Sequence, residues 1–257
     1  MFKENKQFWW FFLGIIILFF TVYSALRSGF DEGSLNFSGF PFSLLNPNTT
    51  TYKPPTKPLD TTKNYEAMVQ TNLGEFAIIL YEKNAPNTVG NFISLVNAGY
   101  YKGTTFYRII PNLLIQGGSS TTKNSNPNDD IFGGPGYTIL DEINWDSLDF
   151  SSDLKAELTK LGYKSSIKIA SKDLVQYSIA MANNGPNTAG GQFFVVISKS
   201  NDPILLSMRG KYTVFGSLTN GYDIIDKISK LGVDDSNKDL IRPKETVTIE
   251  KITITTK

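Results

Sequence analysis

The chain contains no cysteine and no histidine. The first absence excludes disulfides, thiolate metal sites and a cysteine nucleophile in any compartment. The second removes the side chain most used as a general base near neutral pH and the commonest metal ligand. No metal site and no cofactor is expected on these grounds, and any catalysis must proceed without imidazole or thiolate. A charge excess is also missing: 25 Lys and Arg stand against 24 Asp and Glu, so no net field draws the protein to nucleic acid, and no nucleic-acid partner is expected. A hydrophobic fraction of 40% over 257 residues is enough to pack a core in one or two domains.

Long apolar runs are confined to one place. Residues 8–26 carry no charge, and as a helix they would span ~28 Å, close to the ~30 Å hydrocarbon thickness of a bilayer. Trp9 and Trp10 near the start and Tyr23 near the end suit the lipid–water boundary. The run exceeds a usual signal-peptide core, and Val22-Tyr23-Ser24-Ala25-Leu26 offers no small-x-small cleavage site. The expectation is therefore an uncleaved transmembrane helix over 8–26, with a cleaved signal peptide as the alternative. Lys3 and Lys6 precede it, while Asp31 and Glu32 soon follow Arg27. That bias puts residues 1–7 in the cytoplasm and the rest outside, as a single-pass membrane protein. Residues 27–64 mix Gly, Ser, Asn, Thr and Pro, with Lys53-Pro54-Pro55-Thr56-Lys57-Pro58 favouring extended geometry. They read as a flexible linker, although Phe37, Phe40, Phe42, Leu44 and Leu45 could instead dock on a partner.

The remainder, 65–257, reads as the folded domain. Glu66 to Thr71 and Glu75 to Tyr81 flank Asn72-Leu73-Gly74 as a hairpin. Pro86 opens a helix with Val89, Phe92, Ile93 and Val96 on one face and Gly99 at its end. Strand-like runs follow around 104–110, 113–117, 136–140, 177–182, 192–198, 212–218 and 247–255, with a short amphipathic helix over 222–228. Many short strands with two helices suggest a mainly β domain, a closed antiparallel barrel capped at its ends.

Two segments carry the chemistry: Phe106-Tyr107-Arg108-Ile109-Ile110-Pro111-Asn112-Leu113-Leu114-Ile115-Gln116-Gly117-Gly118 and Met181-Ala182-Asn183-Asn184-Gly185-Pro186-Asn187-Thr188-Ala189-Gly190-Gly191-Gln192-Phe193-Phe194. Each sets one or two strong hydrogen-bonding side chains among apolar residues, with glycine and proline fixing the backbone between. That is the make-up of an apolar cleft with polar handles. Gly133-Gly134-Pro135-Gly136 is read as a turn and not a phosphate cradle, because no Gly-Lys-Ser/Thr follows and proline removes a donor.

Both segments closely resemble the signature stretches of the cyclophilin-type peptidyl-prolyl cis/trans isomerases. Those stretches read Phe-His-Arg-Ile-Ile-Pro-Gly-Phe-Met-x-Gln-Gly-Gly and Met-Ala-Asn-Ala-Gly-Pro-Asn-Thr-Asn-Gly-Ser-Gln-Phe-Phe. The likeness runs from about Tyr65 to the C-terminus, and with the N-terminal anchor the chain looks like a bacterial-like, membrane-tethered member. The resemblance implies an eight-stranded antiparallel β-barrel capped by two α-helices. It also implies catalytic roles for Arg108, Gln116 and Asn183, and a substrate groove of Tyr107, Leu113, Leu114, Ala182, Gln192, Phe194, Met208 and Tyr212.

Turning an X-Pro bond needs no proton transfer, only relief of the partial double bond behind its ~18–20 kcal/mol barrier. The missing histidines and cysteines are then no handicap. The twisted transition state localises a lone pair on the prolyl nitrogen, so a fixed cation beside the ring, here Arg108, can favour it selectively. Gln116 would orient Arg108 and the substrate, and Asn183 would bind substrate backbone.

The chain departs from the family's pattern in several places. Leu113 and Leu114 replace Phe and Met, so the proline pocket loses an aromatic wall. Tyr107 and Tyr212 stand where His is common, so little pH dependence is expected from pH 6 to 8. A Trp that contacts cyclosporin is missing near Ser207, so weak cyclosporin binding is expected. The stretch between Asp141-Glu142 and Met181 is longer than the family's, an insertion at about 145–175. Within it Ser151 can cap a helix striped by Leu154, Leu158 and Leu161 and stopped by Gly162; its role is either a decorated loop or a lip on the groove.

The expected function is isomerisation of X-Pro bonds in proline-containing polypeptides, assisting folding of exported or surface proteins. The alternative is a proline-segment binding or chaperone module with little catalysis; a purely structural role has no use for both polar motifs.

Overall fold

The computed structural model describes residues 51–234 and 241–257. The expected membrane span over 8–26 lies outside the described residues, among which no helix is long and apolar enough to cross a membrane.

Ten strands and four α-helices form the described part. In chain order these are β1 (Tyr65–Thr71), β2 (Gly74–Leu80), α1 (Pro86–Asn97), β3 (Arg108–Ile110), β4 (Leu114–Gly117), α2 (Ser152–Lys160), β5 (Ser178–Met181), β6 (Phe193–Val196), α3 (Pro203–Met208), β7 (Val214–Asn220), α4 (Tyr222–Ser229), β8 (Val233–Asp234), β9 (Arg242–Pro243) and β10 (Ile249–Thr256). Eight strands make one antiparallel sheet in the order β10-β1-β2-β7-β5-β6-β4-β3, and β8 and β9 pair separately. The sheet curls into a half-barrel, and its two edges meet just before β3 and β10. There Thr105 bridges Thr248, Gly103 N–H donates to Ile249 O (2.8 Å) and Phe106 N–H to Val247 O (2.9 Å). The expected fully closed ladder is thus a curled sheet laced at its edges. The segment 103–106 serves one edge and β3 the other, which is why the single run expected over 104–110 yields only three ladder residues.

Period-two alternation gives the sheet two apolar faces. Phe76, Ile78, Ile109, Ile115, Ile179, Phe193, Val195 and Phe215 point into the barrel core. The helix α1 plugs it with Val89, Phe92 and Leu95, and α4 with Ile225 and Ile228. Phe193 sits edge-on to Phe92, Tyr101 and Phe106 with centroids 5.8–6.1 Å apart, an arrangement that adds to area burial. The alternate residues Leu114, Ala180, Phe194, Val196 and Val214 face outward into a second apolar cluster.

Pro86 starts α1 as expected, but no side chain at its own N-cap satisfies the first N–H groups. The buried carboxylate of Glu142 does so from afar. It accepts from Asn87 N (3.0 Å) and Thr88 N (2.7 Å), and from both of those side chains. A negative group at this end also complements the helix dipole.

Three further sequence expectations change. Residues 136–140 form no strand; Ile139 makes one bridge to Ala189, because Gly136 turns the backbone to φ 91° immediately after Pro135. The helix of the insertion forms with Ser151 as its cap, accepting from Leu154 N (3.3 Å). Its stripe, however, ends at buried Leu158, and Leu161 is 58% exposed where Gly162 ends the turn. The described part of the linker, 51–64, lies against the domain: Tyr52 N–H donates to Pro135 O (2.9 Å), its ring is edge-on to Tyr100, and Leu59 packs on the core.

Candidate active site

Strand register assembles the polar handles. Arg108 of β3 is opposite Gln116 of β4, Gln116 is opposite Phe194 of β6, and Phe194 is opposite Ala180 of β5. The residues next along each strand, Ile109, Ile115, Val195 and Ile179, belong to the barrel core. The four therefore form one row across the outer face. Two inter-strand steps put the Arg108 and Phe194 backbones ~10 Å apart, within the reach of a guanidinium side chain.

Hydrogen bonds beside this row have a forced polarity. Gln192 Nε2 donates to two carbonyls, Ile131 O (3.0 Å) and Gly133 O (2.7 Å), so its Oε1 must face the other way. There it accepts from the Tyr107 hydroxyl (2.6 Å) and from Gln116 Nε2 (3.0 Å), which also donates to the Tyr107 oxygen (2.7 Å). Gln116 Oε1 is thereby turned toward Arg108 and accepts from its Nη1 (3.3 Å). A flip of any amide in this chain would set donor against donor.

Arg108 is otherwise uncommitted. Its Nε–H is buried with no protein acceptor among the described residues, and none of the ion pairs formed there involves it. A buried donor without an acceptor costs ~1–3 kcal/mol. Burial pushes the Tyr212 and Tyr107 phenols up, and the nearby positive charge of Arg108 partly offsets this at both. The cation is therefore felt on both flanks of the row.

The apolar side of the site is the second cluster. Leu113, Leu114 and Phe194 are buried in it with Leu174 and Leu205, while Met208, Tyr212, Ala182 and Ile110 are partly exposed against it. Phe194, 2% exposed, lies under Tyr212, whose ring meets it edge-on at 5.2 Å. Asn183 stands apart from the amide relay. Its Nδ2 donates to Lys211 O (2.8 Å) and Asp141 Oδ1 (3.4 Å), and its Oδ1 accepts from Gly185 N. Asp141 Oδ2 accepts from Asn187 N (2.7 Å). Burial pushes the Asp141 carboxyl up, partly offset by these bonds from Asn187 and Asn183.

A family model described as cyclophilin type peptidyl-prolyl cis-trans isomerase matches residues 67–254. The chain belongs to that family. Among curated cyclophilin relatives, peptidyl-prolyl cis-trans isomerase-like 1 of Gibberella zeae is 33% identical over 186 residues, 72% of this chain and 91% of that protein. Peptidyl-prolyl cis-trans isomerase A of Mycobacterium tuberculosis is 30% identical over 205 residues, 73% of this chain and 91% of that protein. A crystal structure of a cyclophilin type isomerase from Cryptosporidium parvum superposes with a TM-score of 0.54 at 26% identity, covering 75% of this chain and 98% of that one. A second crystal structure of that protein, in the presence of the dipeptide Ala-Pro, gives a TM-score of 0.53 at the same identity over 74% of this chain. The function carried by the domain is thus cyclophilin-type peptidyl-prolyl cis-trans isomerisation.

Within this cyclophilin the structure gathers Arg108, Gln116, Tyr107, Gln192 and Phe194 around one row, and Leu113, Leu114, Met208, Tyr212 and Ala182 around Phe194. Tyr107 is 4% exposed, and its hydroxyl is taken up by two glutamines. Gln192 likewise has both donors and its acceptor engaged internally. Sequence reasoning missed Asp141, which ties the Asn183 loop; the signal was a carboxylate immediately after the strand-like run of 136–140. No group of three acidic, His or Cys side chains gathers to hold a metal among the described residues.

Proposed function

We propose that this cyclophilin turns X-Pro bonds in proteins outside the cytoplasm, held beside the membrane by residues 8–26. The proline ring docks on the cluster around Phe194, between Met208 and Tyr212. Arg108 is the catalytic cation. Its planar fork is always charged, and with one N–H fixed by Gln116 the free Nε–H is available to the developing lone pair on the prolyl nitrogen. Gln116 is the positioning residue, and the main-chain N–H and carbonyl of Asn183, which bond to no described residue, bind substrate backbone. The observation that carries the reading is the buried, acceptor-free Nε–H of Arg108 on the row that includes Phe194.

Several supports come from chemistry and kinship. A preorganised donor aimed where charge develops costs nothing to reorient at the moment of reaction. The related Cryptosporidium parvum enzyme was solved in the presence of Ala-Pro, a ligand with the ring this cluster suits. Uncatalysed X-Pro rotation takes tens to hundreds of seconds and limits the folding of many chains, which makes exported or surface proteins suitable clients. Cyclosporin should bind weakly, since Ser207 and its neighbours supply no indole.

The test is a coupled isomerisation assay on a proline-containing peptide with the full chain and its Arg108→Ala variant. Turnover in the first, reduced by ~10²–10³ in the second with an unchanged circular dichroism spectrum, is expected; equal turnover rejects the mechanism. Carbonate extraction tests the anchor, the chain staying with the membrane pellet if residues 8–26 span it and moving to the supernatant if they do not.

A further inference from the structure

The insertion grips the short stretch that joins Met208 to Tyr212, two residues packed against the Phe194 cluster. Met208 ends α3, Tyr212 follows four residues later, and Arg209, Gly210 and Lys211 lie between. Trp145 Nε1–H donates to Gly210 O (3.1 Å). Arg209 donates through Nε (2.8 Å) and Nη2 (2.5 Å) to the two oxygens of Asp173, and its guanidinium stacks over the Phe150 ring at 4.9 Å. Gly210 has φ 76°, and a Cβ there would come within 2.5 Å of Phe150 and 2.9 Å of Leu158. The fit leaves no space for a side chain. Lys211 O in turn accepts from Asn183, and Leu174, near the end of the insertion, is buried in the same cluster as Phe194.

Connections of this kind are ordinarily the mobile part of a fold. Here a bidentate Arg–carboxylate pair, an indole hydrogen bond and a stacked ring fix consecutive residues, and such contacts are directional as well as attractive. Leu113 and Leu114 in the same cluster are aliphatic, so no rigid ring sets the cluster's shape at those two positions. The insertion's own hydrophobic centre, Ile143, Trp145, Phe150, Leu158 and Tyr163, gives the grip a rigid base.

We propose that the 145–175 insertion sets the width of the proline pocket by holding Met208 and Tyr212 in place, with Trp145, Asp173 and Arg209 as positioning residues. This rests on the reading that the ring docks beside Phe194. The insertion acts on how tightly the ring is held and not on the cation that lowers the barrier. Its loss therefore weakens ground state and transition state alike, which raises KM and leaves kcat.

The experiment uses the full chain with Trp145→Phe, Asp173→Asn and, as an internal control, Lys155→Ala, which breaks the exposed Lys155–Asp146 pair and none of the bonds that hold Arg209, Gly210 and Lys211. Peptide isomerisation gives kcat and KM, and titration with the dipeptide Ala-Pro gives Kd. Trp145→Phe and Asp173→Asn should each raise KM and the Ala-Pro Kd by on the order of tenfold with kcat within about twofold, and Lys155→Ala should move neither. Folded variants with wild-type KM and Kd, a fall in kcat at constant KM, or an equal shift in Lys155→Ala would each overturn the proposal. If Trp145→Phe does not fold, Asp173→Asn decides alone, because its partner Arg209 stays partly solvated. Arg108→Ala is assayed alongside. Should it keep full turnover, the underlying site reading falls and the brace with it; should it lose turnover while the brace variants keep KM, only the brace falls.

Discussion

The row on the outer face of β3, β4 and β6 and the insertion that clasps residues 209–211 reach the same apolar cluster, through Phe194 and Leu174, and are built by different physics. The row is a relay of single atoms, each with its partner fixed by donor and acceptor count. The insertion is a small apolar core with two polar latches. A relay is specific and fragile, since one wrong atom reverses it; a packed core tolerates change but transmits displacement. The first should govern the rate of rotation and the second the grip on the ring.

Gln116→Leu is expected to have the largest effect on that contrast. It removes the acceptor for Arg108 and both donors to Tyr107 and Gln192, and kcat should fall by ~10²-fold with KM little changed, as steady-state kinetics would show. A KM effect of that size instead would put the two regions on the same footing. Leu158→Ala attacks the other side. It opens a cavity in the insertion's core, so a loss of ~2–5 kcal/mol in urea denaturation is expected, accompanied by a raised KM and a kcat near that of the parent.

Tyr107→Phe is milder. It deletes one hydroxyl that donates to Gln192 and accepts from Gln116 but leaves the direct bond between the two glutamines, so kcat should drop about fivefold, equivalent to ~1 kcal/mol. An unchanged kcat would show that the glutamine pair is self-sufficient.

Smallest of all is the effect of pH near neutrality. Burial pushes the Tyr107 and Tyr212 phenols above their usual 10.0, with Arg108 partly opposing, so both stay neutral and kcat/KM should be level from pH 6 to 8. The same burial raises Tyr100 and Tyr101, and takes Tyr137 to about 12. For an acid whose folded pKa lies above its unfolded one, stability is complete below the unfolded value and is lost as pH rises past it. Thermal melts should therefore hold steady to about pH 10, the unfolded tyrosine value, and decline beyond.

Much of the fold was readable from pattern. The hairpin of β1 and β2, Pro86 at the head of α1, the stripe of α4 and the Ser151 cap are local signals, and local signals need no tertiary context. The short α3 carries such a signal too: Asp202 accepts from Ile204 N and Leu205 N just ahead of Pro203 at the first helical position. It went unread because the surrounding run is short. Residues 136–140 misled in the opposite direction, their apolar content suggesting a strand where Gly136 and neighbouring side-chain bonds pin a loop. Arg108, Gln116 and Phe194 were identifiable as motif members, but their common row exists only once β3, β4 and β6 are in register. The orientation of Gln116 was out of reach of sequence, since it follows from where the Ile131 and Gly133 carbonyls sit.

In the proposed mechanism the planar, multiply donating head of Arg108 lowers the barrier, and not merely a positive charge beside a proline. Arg108→Lys retains the charge while removing the fork and the Nε–H. Measured by peptide isomerisation with Ala-Pro titration alongside, kcat should fall at least about tenfold with the Ala-Pro Kd within about twofold. A lysine variant that turns over at the parent rate would contradict it.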